Sequence, residues 1–228
     1  MAFIAVVGLV GCAGGEEPTP TEESSTPTIT APPPTQPASP TPTEPEFEFK
    51  DIDTSDWRTA NAQDGRGSLK VPAGWGWNWE YQIPAGVPDG QYLDTVILTQ
   101  GGKELLSLRD AQNPPPQCSG DGEAVLLDSA ELKANADFTY VAIAVPAGDK
   151  VQFGAGVIET DRVTKDTCGV SFFITDDLPY MAATTATLPN DELDDHWVFG
   201  SIDEVTDYMG DEEFSNIRAS LLSFQPPA

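Results

Sequence analysis

The sequence has few of the residues on which thiol, metal and histidine chemistry depend. Its 228 residues include one histidine and three cysteines. A zinc site needs several imidazole or thiolate ligands, and nucleophilic catalysis needs a base beside the nucleophile. His196, the only histidine, stands between acids and Trp197, which is typical of a loop residue. No Gly-x-Ser-x-Gly element is present, so we expect a protein that is not an enzyme and has no cofactor.

Basic residues are also scarce, with 11 Lys and Arg against 37 Asp and Glu and a net charge of −26. Nucleic-acid binding needs a basic face that displaces counterions from phosphate, so this class of partner is excluded. The same charge opposes electrostatic adsorption to anionic lipid. Calcium prefers clustered oxygen ligands, and Asp191, Asp194 and Asp195 are weak candidates. An exposed acidic loop is the favoured interpretation of these residues, so no metal site is expected.

The N-terminal apolar run, Ala2 to Val10, is shorter than the roughly 20 residues that span a bilayer. It ends in Leu9-Val10-Gly11-Cys12, although no Lys or Arg precedes Cys12. This pattern resembles the lipobox of prokaryotic lipoprotein signal peptides. The resemblance implies a signal peptide over residues 1–12, cleavage before Cys12 and acylation (typically palmitate) of its sulfur. It therefore implies an extracytoplasmic protein that a covalent lipid holds on the cell membrane.

Residues 13–46 are rich in proline and threonine and carry six glutamates without a basic partner. Such a segment buries too little apolar surface to offset its chain entropy. Its proline content favours an extended chain of about 3.1 Å per residue, or roughly 100 Å in all. We predict a disordered tether here, followed by one extracytoplasmic globular domain over residues 47–228.

Cys118 and Cys168 remain once Cys12 is assigned to the lipid. An even number of cysteines in an oxidising compartment favours a structural disulfide. A redox pair of reduced thiols is the alternative, but no Cys-x-x-Cys spacing supports it.

The pattern of the domain predicts strands first and helices last. Alternating or β-branched segments bounded by glycine and proline indicate the strands, and Gly101-Gly102 indicates a hairpin turn. The expected strands are 67–71, 75–82, 92–99, 104–108, 123–127, 138–145, 150–158 and 168–175.

The C-terminus changes to helical periodicity. Ser201 and Glu204 form a capping box, Gly210 supplies a left-handed stop, and Asp211 caps a second helix. We expect an α+β domain, mainly an antiparallel sheet covered by C-terminal helices. A β-sandwich with a helical appendix is the alternative.

Two stretches carry a family resemblance. Gly67-Ser68-Leu69-Lys70-Val71-Pro72-Ala73-Gly74-Trp75 resembles the opening of PsbP-like domains, the fold of a photosystem II extrinsic protein. The pattern Phe199…Ile202…Tyr208…Phe214…Ile217…Ser220-Leu221-Leu222 is similar to the terminal helix of such domains in actinobacterial lipoproteins. The resemblance implies a sheet covered by helices, and it implies no activity.

Trp75, Trp77, Trp79 and Tyr81 project from one face of a single strand, because strand side chains alternate. They form either a platform that stacks on sugar rings or part of the core. We expect core for most of them, with one at an edge partly open. The predicted function is a non-enzymatic binding or accessory module whose partner is a cell-wall glycan or another envelope protein. The alternative is a cell-wall or glycan hydrolase that binds sugar with Trp and cleaves it with paired carboxylates.

Overall fold

The computed structural model describes residue 49 and residues 51–62, 67–82, 93–111, 124–163, 170–174 and 179–226, all of which belong to one unit. At 81, 82, 93 and 94 it describes the backbone alone. The predictions for residues 1–12 and 13–46 lie outside these residues, as do those for Cys12, Cys118 and Cys168. None of the described helices is long and apolar enough to cross a membrane.

The described chain forms twelve strands, numbered in chain order. They are β1 (Arg58–Asn61), β2 (Ser68–Val71), β3 (Gly76–Gln82), β4 (Leu93–Gln100), β5 (Lys103–Asp110), β6 (Val125–Glu131), β7 (Phe138–Ala147), β8 (Lys150–Glu159), β9 (Val170–Ser171), β10 (Tyr180–Ala183), β11 (Thr187–Leu188) and β12 (Val198–Phe199). Two helices follow, α1 (Ile202–Met209) and α2 (Glu212–Leu222).

One large antiparallel sheet contains eight of these strands, as the sequence predicts. It consists of two meanders, β3-β4-β5 and β6-β7-β8, with β10 between β5 and β8. β10 pairs with β5 along its whole length, but with β8 only where Ala183 faces Gly156. β12 pairs with the start of β8. The separate pairs β1-β2 and β9-β11 lie outside the large sheet.

Alternate residues of the central strands pack into two different hydrophobic clusters. On one face of the sheet, Tyr140, Phe153 and Ala182 pack with residues of α1 and α2. We call this the helix face. On the opposite face, Val141 and Met181 pack with the segment that contains β9 and β11. Strands β7, β8 and β10 are therefore covered on both sides, which explains why their burial is nearly continuous.

The cover on the opposite face ends at β5. There the residues of β3 that point away from the helices, including Asn78 and Glu80, are exposed. On β4, Thr95, Ile97 and Thr99 are partly exposed. The architecture is thus α+β, with helices on one face and a partial cover on the other. Helices rather than a second large sheet cover the helix face, so the β-sandwich alternative is wrong for the described residues.

The hairpin prediction at Gly101-Gly102 is confirmed. The two residues join β4 to β5 with φ values of 62° and 85°. Two successive positive φ angles are the requirement of a type I′ hairpin turn, which glycine meets without steric cost. A β-bulge beside this turn shifts the register between Leu98 and Thr99. As a result Leu105 joins Leu106 in the core, and Glu104 lies opposite Thr99.

The helix bounds agree with prediction, but three details of the helix ends differ. Ser201 is the N-cap of α1 and accepts a hydrogen bond from the Glu204 amide at 3.2 Å. The Glu204 carboxylate, however, accepts from the Gly200 amide rather than from Ser201. Gly210 has a right-handed φ of −77°, so the left-handed stop is wrong. Asp211 occupies the N-cap of α2 without a side-chain cap bond.

The prediction of a strand over 168–175 is also wrong in length. Among the described residues, β9 has only two residues and pairs with β11. Val170 and the apolar side chains that follow β9, such as Phe172, pack on the opposite face of the large sheet. The apolar residues that suggested a strand are therefore buried, but they pack against the large sheet instead of pairing as a long strand.

Candidate functional site

The tryptophans of β3 become progressively more exposed along the strand. Trp75, which immediately precedes β3, is 2% exposed, Trp77 is half-buried, and Trp79 is 45% exposed. The indole nitrogen of Trp79 donates to the Asn61 carbonyl at 3.3 Å. The Arg58 guanidinium lies 4.5 Å above the Trp77 ring. Trp75 is thus inaccessible and Trp77 is partly covered, so Trp79 is the one open ring among these three tryptophans. The structure does not describe the side chain of Tyr81.

A pocket lies on the opposite face, at the step where the cover of the sheet ends. Its volume is about 180 Å³. β5 supplies one wall, and the segment that runs from β10 to Trp197 supplies the other. We call it the step pocket, and its lining residues are Glu104, Ser107, Arg109, Met181, Thr184, Thr185, Ala186, Asn190, Glu192, Leu193, Asp194 and Trp197.

Glu104 is the half-buried carboxyl group of the step pocket. Burial raises the pKa of this carboxyl, and the charges of Asp194 and Glu80 raise it further. The charges of Arg109 and His196 lower the pKa in part, but the net shift is upward. No hydrogen bond or ion pair within the described chain engages its carboxylate oxygens. The protein therefore keeps a partly desolvated acid in this pocket without a partner.

Arg109 and Ser107 share the pocket wall with Glu104. The side chains of Arg109 and Ser107 project from the same face of β5, since they alternate with the core residues Leu106 and Leu108. Ser107 is 2% exposed, and its hydroxyl has no hydrogen bond within the described residues. The Arg109 guanidinium likewise has no ion pair there. The pocket therefore collects three polar side chains that make no hydrogen bond or ion pair with the described residues and remain available to a ligand.

The far wall of the pocket is held by specific hydrogen bonds. The Gln152 side chain donates to the Asn190 carbonyl at 2.8 Å and accepts from the Asn190 amide at 2.6 Å. The Asn190 side chain in turn accepts from the Glu192 amide at 3.0 Å. These bonds attach the loop to β8, so the wall is a fixed part of the fold rather than a separate flap.

His196 holds one end of the step pocket. It lies in the 3-10 turn Asp195–Trp197, and its Nε2 is 3.0 Å from the Glu104 carbonyl oxygen. A carbonyl oxygen only accepts, so Nε2 is the donor. The ring also packs on Trp197 at 4.7 Å between centroids. His196 therefore positions the backbone of Glu104, in keeping with a structural rather than a catalytic role.

The calcium candidates do not converge. Asp191, Asp194 and Asp195 are exposed, and only Asp194 lines the step pocket. Within the part of the chain that the structure describes, no group of three or more His, Cys, Asp or Glu residues is arranged to hold a metal ion. The loop nevertheless contributes acidic groups to the pocket rim.

A second pocket, of about 280 Å³, lies between residues 49–54 and α2. Its arginine is already engaged, since Arg218 pairs with Asp128 at 2.7 Å. The same guanidinium lies 4.3 Å above the Phe49 ring. This pocket is larger than the step pocket, but its strongest donor has partners, so it is the weaker candidate.

Residues beside the two cysteine segments meet in one cluster. Ala111 and Ala124 adjoin the segment that contains Cys118, and Val163 and Val170 adjoin the segment that contains Cys168. All four belong to or pack against the hydrophobic cluster on the opposite face. Cys118 and Cys168 themselves lie outside the described residues, so the disulfide stays a prediction.

Sequence reasoning missed Glu104, Ser107 and Arg109. Ser107 and Arg109 alternate with leucines on β5, which predicts an ordinary solvent face, and Glu104 joins that face only through the β-bulge at Leu105. Their burial comes from Thr184–Asp194, about 80 residues further along the chain. No local pattern marks that contact.

No protein-family model, curated protein or solved structure matches this chain. The fold and the step pocket are therefore the basis of the functional argument.

Proposed function

We propose that this protein is a membrane-anchored extracytoplasmic lipoprotein whose folded domain is a non-enzymatic binding module. Three parts of the sequence support the anchoring: the lipobox that ends at Cys12, the tether over 13–46 and the acidic domain that follows. The sheet with C-terminal helices on one face agrees with what the PsbP-like resemblance implies. In this proposal the lipid and tether hold the domain near the membrane, and the domain captures a ligand.

One observation carries the binding proposal: the step pocket collects polar groups that lack partners. Glu104 and Arg109 are charged, and Ser107 is almost fully buried, yet none has a hydrogen-bond or ion-pair partner for its side chain among the described residues. Partial desolvation without a protein partner costs free energy, as the raised pKa of Glu104 indicates. A ligand that supplies the missing partners removes this cost, and pockets with a few convergent polar groups are the usual form of a binding site.

Membrane fractionation tests the anchoring. The wild-type chain should partition with membranes, and Cys12→Ala should either appear in the medium or remain uncleaved. Cys118→Ala is the matched control, because it removes a cysteine without touching the lipobox and should stay membrane-bound. Membrane-bound, normally cleaved Cys12→Ala protein would refute the lipid anchor.

Ligand-induced stabilisation tests the binding module. The purified full chain in detergent is heated with a panel of neutral sugars, amines, carboxylic acids and amino acids. A ligand that binds only the native state raises the melting temperature, and the increase grows with the logarithm of its concentration above Kd. The proposal expects at least one class to do so in wild type and to lose the effect in Arg109→Gln or Glu104→Gln. If every class that stabilises wild type stabilises both variants equally, the step pocket is not the site.

A glycan hydrolase is the second candidate, and one observation favours it. Glu104 has a raised pKa in a pocket that also holds Asp194 and Glu192, as a general acid beside a second carboxylate requires. The binding module is preferred because the aromatic ring in this pocket, Trp197, is 2% exposed and cannot stack on a sugar. The open ring, Trp79, projects from the helix face of β3.

Release of reducing ends from purified cell wall or from soluble polysaccharides tests the hydrolase. Activity that Glu104→Gln abolishes, with folding intact, would establish the enzyme and displace the binding module.

A further inference from the structure

The step pocket presents opposite charges that do not neutralise each other. Glu104 lies opposite Thr99 and Arg109 opposite Thr95 in the ladder with β4. These positions are four residues apart on β4, which is about 14 Å of strand. The charge of Arg109 acts on Glu104, but the two side chains form no ion pair. The pocket therefore has an acidic end and a basic end.

The acidic end is reinforced by the opposite wall. Asp194 lines the pocket close enough to raise the pKa of Glu104, and Glu192 lines it as well. Arg109 is the one basic side chain among the lining residues. Glu80 lies two strands from Arg109, in the row Glu80–Thr95–Arg109, and it is exposed outside the pocket. Three acids against one guanidinium repel a ligand that carries only negative charge.

Ser107 lies between the two ends. Its position on β5 is between Glu104 and Arg109, it is 2% exposed, and its hydroxyl is free to donate to or accept from a ligand. The hydroxyl makes no hydrogen bond with the described residues, and Ser107 lines the pocket. It can therefore bind a ligand group that lies between the two charged ends.

From this arrangement we infer that the step pocket binds a small zwitterion, with its ammonium group at Glu104 and Asp194 and its carboxylate at Arg109. The inference rests on the proposed binding function and specifies its ligand class. Charge-assisted hydrogen bonds to both ends satisfy groups that the fold leaves open, and guanidinium presents paired donors that match a carboxylate. A volume of about 180 Å³ suits a free amino acid or a very short peptide.

Calorimetry with a matched ligand series tests the inference on the full chain in detergent. Glycine, β-alanine, γ-aminobutyrate and 6-aminohexanoate vary the distance between ammonium and carboxylate, and glycylglycine and triglycine represent peptide termini. For the best binder, the N-acetyl derivative removes the cation and the methyl ester removes the anion. Each derivative should bind at least ten-fold more weakly than the zwitterion, which corresponds to about 1.4 kcal/mol.

Variants identify which end of the pocket binds the ammonium group of the ligand and which end binds its carboxylate. Arg109→Gln should weaken the zwitterion at least ten-fold while leaving the methyl ester nearly unchanged. Glu104→Gln should weaken the zwitterion while leaving the N-acetyl derivative nearly unchanged. In this crossed pattern, each variant weakens only the ligands that carry the group bound by the replaced side chain, so each residue is matched to one ligand group. Lys150→Gln and Glu212→Gln, exposed residues outside the pocket, should change neither. Circular dichroism checks folding, and Arg109→Lys replaces Arg109→Gln if the latter fails to fold.

The outcomes separate this inference from the function on which it rests. If neutral sugars or simple amines bind through Glu104 and the zwitterions do not, the inference is overturned and the binding module stands. If zwitterions bind but the derivatives and variants show no crossed pattern, the placement at the two ends is wrong. If no class binds and polysaccharide is cleaved, both the inference and the binding module fail.

Discussion

Replacing Gly156 by alanine tests the join between the two halves of the sheet. Gly156 is the residue of β8 at which β10 pairs. A Cβ atom at this position would lie 2.5 Å from Cδ1 of Phe172 and 2.7 Å from Cβ of Ala183. Carbon atoms normally make contact at about 3.5–4.0 Å, so the overlap is about 1 Å with each. Phe172 and Ala183 are fully buried and cannot turn away.

The expected loss of stability follows from this overlap. Added methyl groups in a well-packed core cost about 1–3 kcal/mol. For a domain of this size each kcal/mol lowers the melting temperature by about 2–4 °C, so Gly156→Ala should melt roughly 2–12 °C below wild type. Calorimetry or far-ultraviolet dichroism of the purified protein measures the shift. Because β10 and Phe172 must both move, we also expect weaker protection of the β10 amides in hydrogen exchange.

Gly76→Ala is the matched control. Gly76 is also a strand glycine of the same sheet, but its nearest neighbour to a new Cβ is Thr99 Oγ1 at 3.6 Å, an ordinary contact. Here alanine should be neutral or should stabilise by up to about 1 kcal/mol, because it restricts the unfolded chain. Equal melting temperatures for the two variants would refute the packing of Phe172 against β8 and the role of Gly156 in admitting β10.

Three further predictions follow from burial, from cysteine pairing and from charge. Trp75→Ala should cost about 3–5 kcal/mol as a large-to-small core change, whereas the exposed Trp79→Ala should cost far less; similar urea midpoints would contradict this difference. Thiol labelling of the unfolded, non-reduced domain should find neither Cys118 nor Cys168 free, and stoichiometric labelling of either would disprove the disulfide. The raised pKa of Glu104 means that the native state favours its protonated form, so its contribution is most favourable at acidic pH and is lost as pH rises through the folded pKa. Glu104→Gln should therefore gain stability relative to wild type at neutral pH but not at acidic pH, and a constant difference in urea unfolding across this range would contradict the charge argument.

Local features of the fold were predictable because they depend on neighbouring residues. The hairpin at Gly101-Gly102 and the cap at Ser201 are set by backbone conformation and by hydrogen bonds within a few residues. The bounds of α1 and α2 follow from apolar periodicity for the same reason. One detail of the helix ends was not predictable because a second backbone donor competed for the same acceptor. The Glu204 carboxylate accepts from the Gly200 amide rather than from the Ser201 amide.

The order of strands was not predictable in the same way. β10 inserts between β5 and β8 although it follows both in sequence. It can do so because Gly154 and Gly156 leave room on β8 for Phe172, Leu188 and Ala183. In the sequence these glycines resemble ordinary interruptions of a strand pattern, and their partners are roughly 15 to 35 residues away.

The sequence by itself determined the acidic charge, the alternation of side chains on each strand and the succession of sheet and helices. Each of these depends on composition or on residues that are near one another in the chain. Only the tertiary structure decided which alternating face became buried, how far along β3 the tryptophans are covered, and that Glu104, Ser107 and Arg109 line a pocket. The pocket depends on contacts with Thr184, Asn190 and Asp194, and the covered tryptophans depend on the core of the helix face. Local sequence does not encode these contacts, because the free energy of burial is gained only when distant segments of the chain pack together.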